Sequence, residues 1–166
     1  MILTFGLREI FKALSQISFG VVLMPEYKDL VLKAHGKRLS PTKMVVKAEG
    51  FEILIDKLNG EQPCPLDYTL AALAGCLNIA GTLVAKDMGI KIEDMEIEVE
   101  GVFNPAKFMG AEGERAGFKE IRAVIKVKSD ADEERLKEWL ERVEERCPIS
   151  DNLANPTPTK VEIKKL

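Results

Sequence analysis

The sequence predicts a domain that combines α-helices with β-strands, and three patterns lead to that prediction. An apolar run from Leu70 to Ala85 follows Pro65 and ends shortly before Gly89, which is typical of a buried helix. A second helix is predicted between about residues 129 and 146, where apolar residues recur every three or four positions. Several other segments alternate apolar and polar residues, as half-buried strands do.

A helical extension is predicted over residues 1–20, at the start of a single domain that we expect to span residues 1–166. Apolar residues recur there at helical spacing with charged residues between them, unlike the uninterrupted apolar core of a signal peptide. We therefore interpret the segment as an amphipathic helix, followed by a short strand over residues 21–24. The apolar positions of the helix are Leu7, Ile10, Phe11, Leu14 and Ile17.

Strands are predicted in five further segments. Two of these segments contain Gly36 and Gly50, where we expect bends, so a hairpin or a meander is predicted in the first half of the chain. The last of the five closes the chain. In order, the segments are "DLVLKAHGKRL", "KMVVKAEGFEILID", "MEIEVEGVF", "FKEIRAVIKVK" and "TKVEIKKL".

The two long predicted helices differ in how much of their surface is apolar and must be packed against other elements. The second is amphipathic, with Ser129 or Asp130 as the expected N-cap, and its apolar face extends to Cys147 before Pro148 ends the helix. The first is apolar nearly all round, so other elements must enclose it. We expect it to lie across a sheet, with a second subunit as a candidate cover for its other face.

Composition narrows the function classes. Hydrophobic residues make up 46% and charged residues 31% of the chain, as expected for a soluble globular protein. The formal net charge of −3 offers no basic surface for nucleic acid. The apolar run is too short for a membrane span and contains Asn78 and Thr82, so no membrane partner is expected. The odd number of cysteines, three, argues against a secreted disulfide framework and favours the reducing cytoplasm.

The cysteines and the single histidine are the candidate reactive residues. Taken alone, Cys76 and Cys147 are each best explained as small core residues. Both lie on buried helix faces, however, and two packed helices can bring such faces into contact, which would allow a redox role. Cys64 is expected in a packing or surface role and His35 in a turn. The four residues could bind zinc by count, but the C-x-x-C spacing of zinc sites is missing, so neither a metal nor a cofactor is expected.

Three stretches of the sequence resemble the OsmC/Ohr family of cysteine-based peroxidases. They are "PCPLDYTLAALAGCLNIAGTLVAKDMGIKIEDMEIEVEG", "RAGFKEIRAVIKV" and "ERCPISDNL", and the resemblance runs from about Lys28 to the C-terminus. It implies an α+β fold of two long helices packed on a curved antiparallel sheet, in an intertwined homodimer with its sites at the dimer interface. It also implies organic hydroperoxides as substrates, which an apolar lining would favour.

The same resemblance assigns roles to four residues. Cys76 matches the peroxidatic cysteine of the family, and Cys147 matches the resolving cysteine. The family also holds its thiolate with an arginine from an early strand or loop. Arg38 is the only arginine between Tyr27 and Cys76, so we assign it that role. Asp67 is the candidate acid that orients the arginine.

Two features depart from the family pattern. The acid of well-described members stands one position before Asp67, where this chain has Leu66. The glycine-rich stretch that usually precedes the helix is replaced by "NGEQPC". Separately, Lys43 and Lys47 lie in the same early region as Arg38 and are kept as alternatives to it for the cation.

The implied chemistry is that of a thiol peroxidase. Burial raises the pKa of a thiol, so a reactive Cys76 in the middle of a helix needs a cation beside it. Its sulfenic acid would condense with Cys147 to a disulfide, which an external dithiol would reduce. The alternative is a non-catalytic dimer of the same fold that binds a hydrophobic small molecule, with both cysteines merely buried.

Overall fold

Within the residues that the structure describes, helices and strands lie between residues 34 and 154. The computed structural model describes residues 27–113 and 115–165. The chain divides into two units, Met1–Lys33 and Ala34–Leu166. The described part of the first unit, residues 27–33, carries no helix or strand. The helix and the strand predicted within residues 1–24 lie outside the described residues.

The described part of the second unit contains five strands and three helices. In chain order they are β1 (Ala34–Arg38), β2 (Met44–Ala48), β3 (Phe51–Ile55), α1 (Pro65–Met88), β4 (Ile92–Phe103), β5 (Phe118–Ser129), α2 (Glu133–Arg146) and α3 (Pro148–Ala154). The prediction of a mixed fold with antiparallel strands is confirmed.

The first sheet is an antiparallel meander in the order β1-β2-β3. Glu49 and Gly50 both take positive φ angles, 47° and 86°, and make the tight turn between β2 and β3. The hairpin predicted at Gly50 is thus confirmed. Gly36, by contrast, lies inside β1 opposite Val46, and a Cβ atom there would come within 2.7 Å of the sulfur of Met44. Gly36 therefore provides room for a neighbouring side chain within a regular strand.

One face of this sheet is apolar and open to solvent. Successive residues of a strand point to opposite faces, so residues four positions apart lie on the same face. Two rows of paired residues therefore share one face of this sheet: Arg38, Met44 and Ile55, and Ala34, Ala48 and Phe51. Phe51 is 73% exposed. A large aromatic side chain on an uncovered apolar face indicates a surface that another element can cover.

The second sheet pairs the two longest strands, β4 and β5, antiparallel. One face carries the apolar pairs Met95–Val127, Ile97–Ile125 and Val99–Ala123, which pack toward the helices. The other face carries cross-strand charge pairs, such as Glu100 with Arg122 and Glu96 with Lys126. The alternation read from the sequence therefore corresponds to one buried and one wet face.

The α1 helix lies against β4 and α2, with the ends that the sequence predicts. Pro65 occupies its first turn, and Gly89 ends it in the left-handed conformation with φ of 66°. The helix is long and apolar enough to cross a membrane by length and composition, a property that core helices of soluble proteins share. The indole N–H of Trp139 donates to the carbonyl of Gly81 at 2.9 Å, which fixes α2 on α1.

The α2 helix begins later than predicted and is followed at once by a helix that was not predicted. Asp132 is the N-cap, because its carboxylate accepts from the N–H of Arg135 at 2.8 Å. Ser129 and Asp130 instead bond to the backbone of Lys91. Pro148 ends α2 as predicted, but it also begins α3, since proline suits the first turn of a helix.

The strand predicted at the C-terminus is wrong for the described part of that segment. Residues 156–165 carry no helix or strand. Val161 and Ile163 are 92% and 98% exposed. The alternating pattern is present, but nothing in the described chain covers its apolar side.

Candidate active site

The candidate site is a pair of free cysteines brought together by two helices. The Sγ atoms of Cys76 and Cys147 lie 3.0 Å apart, although the residues are 71 positions apart in sequence. Cys76 comes from the middle of α1, and Cys147 from the junction of α2 and α3. The indole N–H of Trp139 donates a hydrogen bond to Gly81, which lies five residues after Cys76 on α1, so the packing of α2 on α1 sets this approach.

Cys76 is half-buried within an exposed apolar stripe of α1. Helical spacing places Ala72, Ile79 and Leu83 on the same side as Cys76. Ile79 is 62% exposed, and Leu83 is also exposed. Cys76 is thus only partly buried, beside a surface that favours apolar groups.

Cys147 is fully buried, and it is both the C-cap of α2 and the N-cap of α3. Its backbone N–H donates to the carbonyl of Glu144 at the end of α2. Its sulfur accepts from the N–H of Ser150 at 3.4 Å at the start of α3. Cys147 is 0% exposed, as expected for the last position of the apolar face of α2.

The two thiols have pKa values shifted in opposite directions. Burial raises the pKa of Cys76, and the hydrogen bond shared with Cys147 raises it further. Burial acts on the pKa of Cys147 in the same sense. It is outweighed there by hydrogen bonds from Cys76 and from the hydroxyl and N–H of Ser150, which leave that pKa lowered. Cys147 is therefore the better-stabilised thiolate of the pair.

Asp67 and Cys64 form the N-terminal cap of α1. The carboxylate of Asp67 accepts from the N–H of Cys64 at 2.8 Å. Hydrogen bonds from the N–H and the thiol of Cys64 lower the pKa of Asp67. Cys64 is buried at this cap. Asp67 thus fixes the start of the helix that carries Cys76.

The candidate cations lie on the first sheet. Arg38 is exposed, and its Nε donates to the carbonyl of Ser40 at 3.1 Å. Lys43 pairs with Glu61, and Lys47 pairs with Glu52 at 2.9 Å. Within residues 27–113 and 115–165, neither sulfur has a cationic side chain among its hydrogen-bond partners. The structure brings the two cysteines together but does not bring Arg38 or Asp67 to them within one chain.

Ser150 is the site residue that the sequence analysis missed. It lies in the "CPIS" stretch, and its contacts with the sulfur of Cys147 depend on α3, which was not predicted. A proline directly after a buried cysteine is the available signal, because it can both end one helix and begin the next. In the described part of the chain, no group of three or more histidine, cysteine or acidic residues is arranged to hold a metal ion.

Comparison with known proteins identifies the family. The family model described as OsmC-like protein matches residues 58–162, which include both cysteines of the pair. This chain therefore belongs to the OsmC-like family, and the resemblance to OsmC/Ohr proteins is confirmed. The sequence matches no curated protein.

Solved structures of OsmC and Ohr proteins share the fold. An OsmC-like protein from Mycoplasma pneumoniae is 23% identical with a TM-score of 0.69, over 78% of this chain and 91% of its own. An organic hydroperoxide resistance protein from Elizabethkingia anophelis is 17% identical with a TM-score of 0.62, over 78% and 91%. The organic hydroperoxide resistance protein OhrB of Bacillus subtilis is 23% identical with a TM-score of 0.54, over 81% and 98%.

Proposed function

We propose that this protein is a thiol peroxidase that reduces organic hydroperoxides to alcohols. The observation that supports it most strongly is the 3.0 Å separation between the sulfurs of Cys76 and Cys147. A disulfide holds its sulfurs about 2.05 Å apart, so a displacement of about 1 Å would join them. Structural neighbours named organic hydroperoxide resistance proteins suggest the same substrate class.

The proposed reaction begins at Cys76, the more exposed of the two sulfurs. Its thiolate attacks one peroxide oxygen; an S–O bond forms, the O–O bond breaks, and the alkoxide leaves and takes up a proton as the alcohol. The peroxide gains two electrons and the sulfur becomes a sulfenic acid. The thiolate of Cys147 then attacks the sulfur of Cys76, displacing hydroxide, which leaves as water. An external dithiol reduces the disulfide and returns both thiols.

The apolar stripe around Cys76 favours organic over hydrogen peroxide in this proposal. Ala72, Ile79 and Leu83 offer contact to an alkyl or aryl group but no hydrogen bonds. Each methylene removed from water stabilises the complex by about 0.8 kcal/mol. A substrate with a large apolar group is therefore bound more tightly than hydrogen peroxide.

The proposed site needs a cation, and a second copy of the chain is the proposed source. Without one, burial keeps the pKa of Cys76 raised. Arg38 shares the apolar face of the first sheet with Met44 and Ile55, so an element covering that face would meet its guanidinium. Asp67 remains the proposed counter-ion of Arg38, in addition to its role as a cap of α1.

An intertwined homodimer would account for three surfaces that the described residues of one chain leave uncovered. These are the apolar face of the first sheet, the stripe of α1 around Cys76 and the alternating C-terminal segment. Phe51, Ile79 and Ile163 represent them, at 73%, 62% and 98% exposure. A reducing compartment such as the cytoplasm would supply the dithiol that the proposed cycle requires.

Counting thiols tests the proposed function directly. One equivalent of cumene hydroperoxide is added to the reduced protein and free thiols are titrated before and after. We expect two thiols to be lost in the wild type. In Cys147→Ser we expect oxidation of Cys76 without a disulfide. Unchanged thiols over minutes in the wild type would refute the proposal.

A non-catalytic protein that binds a hydrophobic small molecule is the second candidate. The exposed apolar stripe of α1 and the raised pKa of Cys76 both favour it. It predicts tight binding of an apolar fluorescent probe without any loss of thiols on peroxide addition. The thiol count therefore separates the two functions.

A further inference from the structure

The turn between β1 and β2, residues 39–43, is tied together by hydrogen bonds that reach Arg38. The Nε of Arg38 donates to the carbonyl of Ser40 at 3.1 Å. The hydroxyl of Ser40 accepts from the N–H of Lys43 at 3.0 Å, and the N–H of Ser40 donates to the carbonyl of Lys43 at 3.1 Å. Lys43 therefore closes the turn on which the guanidinium of Arg38 rests.

The side chain of Lys43 is held in turn by two carboxylates. Its ammonium group pairs with Glu61 and lies 3.9 Å from the carboxylate of Asp56. Asp56 directly follows β3 and is only 3% exposed, which makes it the buried charged side chain of the described residues. A buried carboxylate is costly unless donors and a cation replace the water that it loses. Asp56 is thus a fixed point against which the turn is held.

Asp56 also connects the first sheet to the start of α1. Its carboxylate accepts from the N–H of Lys57 at 2.8 Å and from the N–H of Glu61 at 3.1 Å. Its own N–H donates to the carbonyl of Pro63 at 3.2 Å, directly before Cys64, the N-cap of α1. One set of contacts therefore leads from the turn between β1 and β2 to the helix of the candidate site.

We propose that the ion pair between Lys43 and Asp56 is a positioning device, which holds the turn between β1 and β2 so that Arg38 meets Cys76 of a second copy. The inference rests on the proposed function, in which that arginine stabilises the thiolate. It gives Lys43 a positioning role instead of the role of the cation itself. Arg38 is available for the latter role, because within the described residues its side chain bonds to a backbone carbonyl and to no carboxylate.

Removing the carboxylate of Asp56 distinguishes positioning from a direct effect of charge. A negative charge opposes the ionisation of a nearby thiol, so Asp56→Asn would lower the pKa of Cys76 by electrostatics alone. It would also lower that pKa if Lys43 were the activating cation, since Lys43 would lose a competing partner. If Asp56 acts through Arg38, its loss instead raises the pKa, because the guanidinium is no longer held toward the thiolate. The two explanations therefore predict shifts of opposite sign.

The test measures the half-maximal pH, defined as the pH at which alkylation of Cys76 by iodoacetamide reaches half its maximal rate. The full chain carries Cys147→Ala in every variant, because Cys147 is the titrating group that contacts Cys76 among the described residues. Mass spectrometry of the peptide that contains Cys76 separates its alkylation from that of Cys64. The variants compared with this background are Asp56→Asn, Lys43→Met, Lys43→Arg, Arg38→Ala, Lys47→Met, and Arg38→Ala combined with Asp56→Asn or with Lys43→Met.

We expect Arg38→Ala to raise the half-maximal pH by about one to three units, which is the effect of an adjacent opposite charge on a pKa. Asp56→Asn and Lys43→Met should each raise it by part of that amount, and neither should raise it further once Arg38 is removed. Lys43→Arg keeps the charge and should leave it unchanged. Lys47→Met is the matched control, because Lys47 pairs with Glu52 on the same sheet and should also leave it unchanged.

Three results would overturn the inference. An unchanged or lowered half-maximal pH in Asp56→Asn or Lys43→Met would mean that the ion pair does not position Arg38. A shift that persists when Arg38 is already removed would mean that the pair acts on the thiol directly. No response to Arg38→Ala would leave nothing for the pair to position.

Thermal unfolding shows which variants fold. Lys43 is more exposed than Asp56, so Lys43→Met tests the same ion pair even if Asp56→Asn does not fold. The alkylation assay contains no peroxide. Failure of the proposed peroxidase function would therefore be seen separately, as unchanged thiols after addition of cumene hydroperoxide.

Discussion

The surroundings of the two sulfur atoms differ in almost every physical respect. Cys76 lies in the middle of a long helix, half-buried, among apolar side chains that face outward. Cys147 lies at the junction of two helices, fully buried, with hydrogen-bond donors around it. One sulfur is accessible but poorly stabilised as a thiolate, whereas the other is inaccessible but well stabilised. The difference fits the proposed division of labour, in which the half-buried thiol of Cys76 meets the oxidant and the fully buried thiol of Cys147 completes the reaction.

The largest expected effect comes from removing the buried partner. In Cys147→Ser we expect the intramolecular disulfide to be lost altogether, because a hydroxyl cannot form it. The sulfenic acid on Cys76 should then persist and be trapped by dimedone, giving a modified peptide detectable by mass spectrometry. Cys64→Ser is the matched control and should behave like the wild type. A dimedone adduct on Cys64 instead of Cys76 would contradict the assignment of Cys76 as the thiol that meets the oxidant.

A large effect on stability is expected from removing Trp139, which joins α2 to α1. Trp139 is buried and bonded to Gly81, so Trp139→Ala should lower the free energy of unfolding by about 3–5 kcal/mol. Urea denaturation followed by circular dichroism measures the change. The nearby Leu140→Ala, at a more exposed position of the same helix, should cost less. Equal losses for the two variants would mean that the indole does not fix α2 on α1.

A more moderate effect concerns the ionisation of the half-buried thiol of Cys76. In Cys147→Ala, alkylation of Cys76 by iodoacetamide should increase with pH. Within a single chain, burial keeps the pKa of Cys76 raised. The pH at which alkylation reaches half its maximal rate should therefore lie above the pKa of an ordinary thiol. If a partner subunit supplies Arg38, the pH of half-maximal alkylation should fall below the pKa of an ordinary thiol, and in Arg38→Ala it should rise again. A midpoint that is insensitive to Arg38→Ala would exclude this arginine as the activating cation.

The smallest expected effect is at the start of α2, far from either sulfur. Asp132 caps the helix, so Asp132→Ala should cost about 1 kcal/mol of stability. Asp130→Ala is the matched control, since Asp130 bonds to the backbone of Lys91 and does not cap the helix. Thermal unfolding of both variants checks the assignment. An unchanged melting temperature for Asp132→Ala would contradict the assignment of Asp132 as the N-cap.

Much of the fold followed from local patterns in the sequence. Pro65 and Gly89 marked the ends of α1, because each has a conformational preference that acts without tertiary contacts. The alternation in β4 and β5 predicted two strands with one buried face. These elements are set by residues that are close in sequence, so one sequence is enough to find them.

The rest depends on contacts that local patterns do not contain. Ser129, Asp130 and Asp132 are all suitable N-cap residues for α2. Ser129 and Asp130 are hydrogen-bonded to the backbone of Lys91 instead, which leaves Asp132 as the cap, and the sequence does not show those bonds. Pro148 was interpreted as a stop alone, so α3 was missed and Ser150 with it. The meeting of Cys76 and Cys147 across 71 positions was allowed by the helix faces and implied by the family resemblance, but no spacing rule could establish it.

The central claim is that Cys76 and Cys147 form a redox pair, and peptide mapping after one turnover tests it most directly. The reduced protein is mixed with one equivalent of an organic hydroperoxide, blocked with an alkylating agent and digested without reductant. The account predicts a single linked product that joins the peptides of Cys76 and Cys147, with Cys64 recovered as an alkylated thiol. Recovery of all three cysteines as alkylated thiols, or a linkage through Cys64, would contradict it.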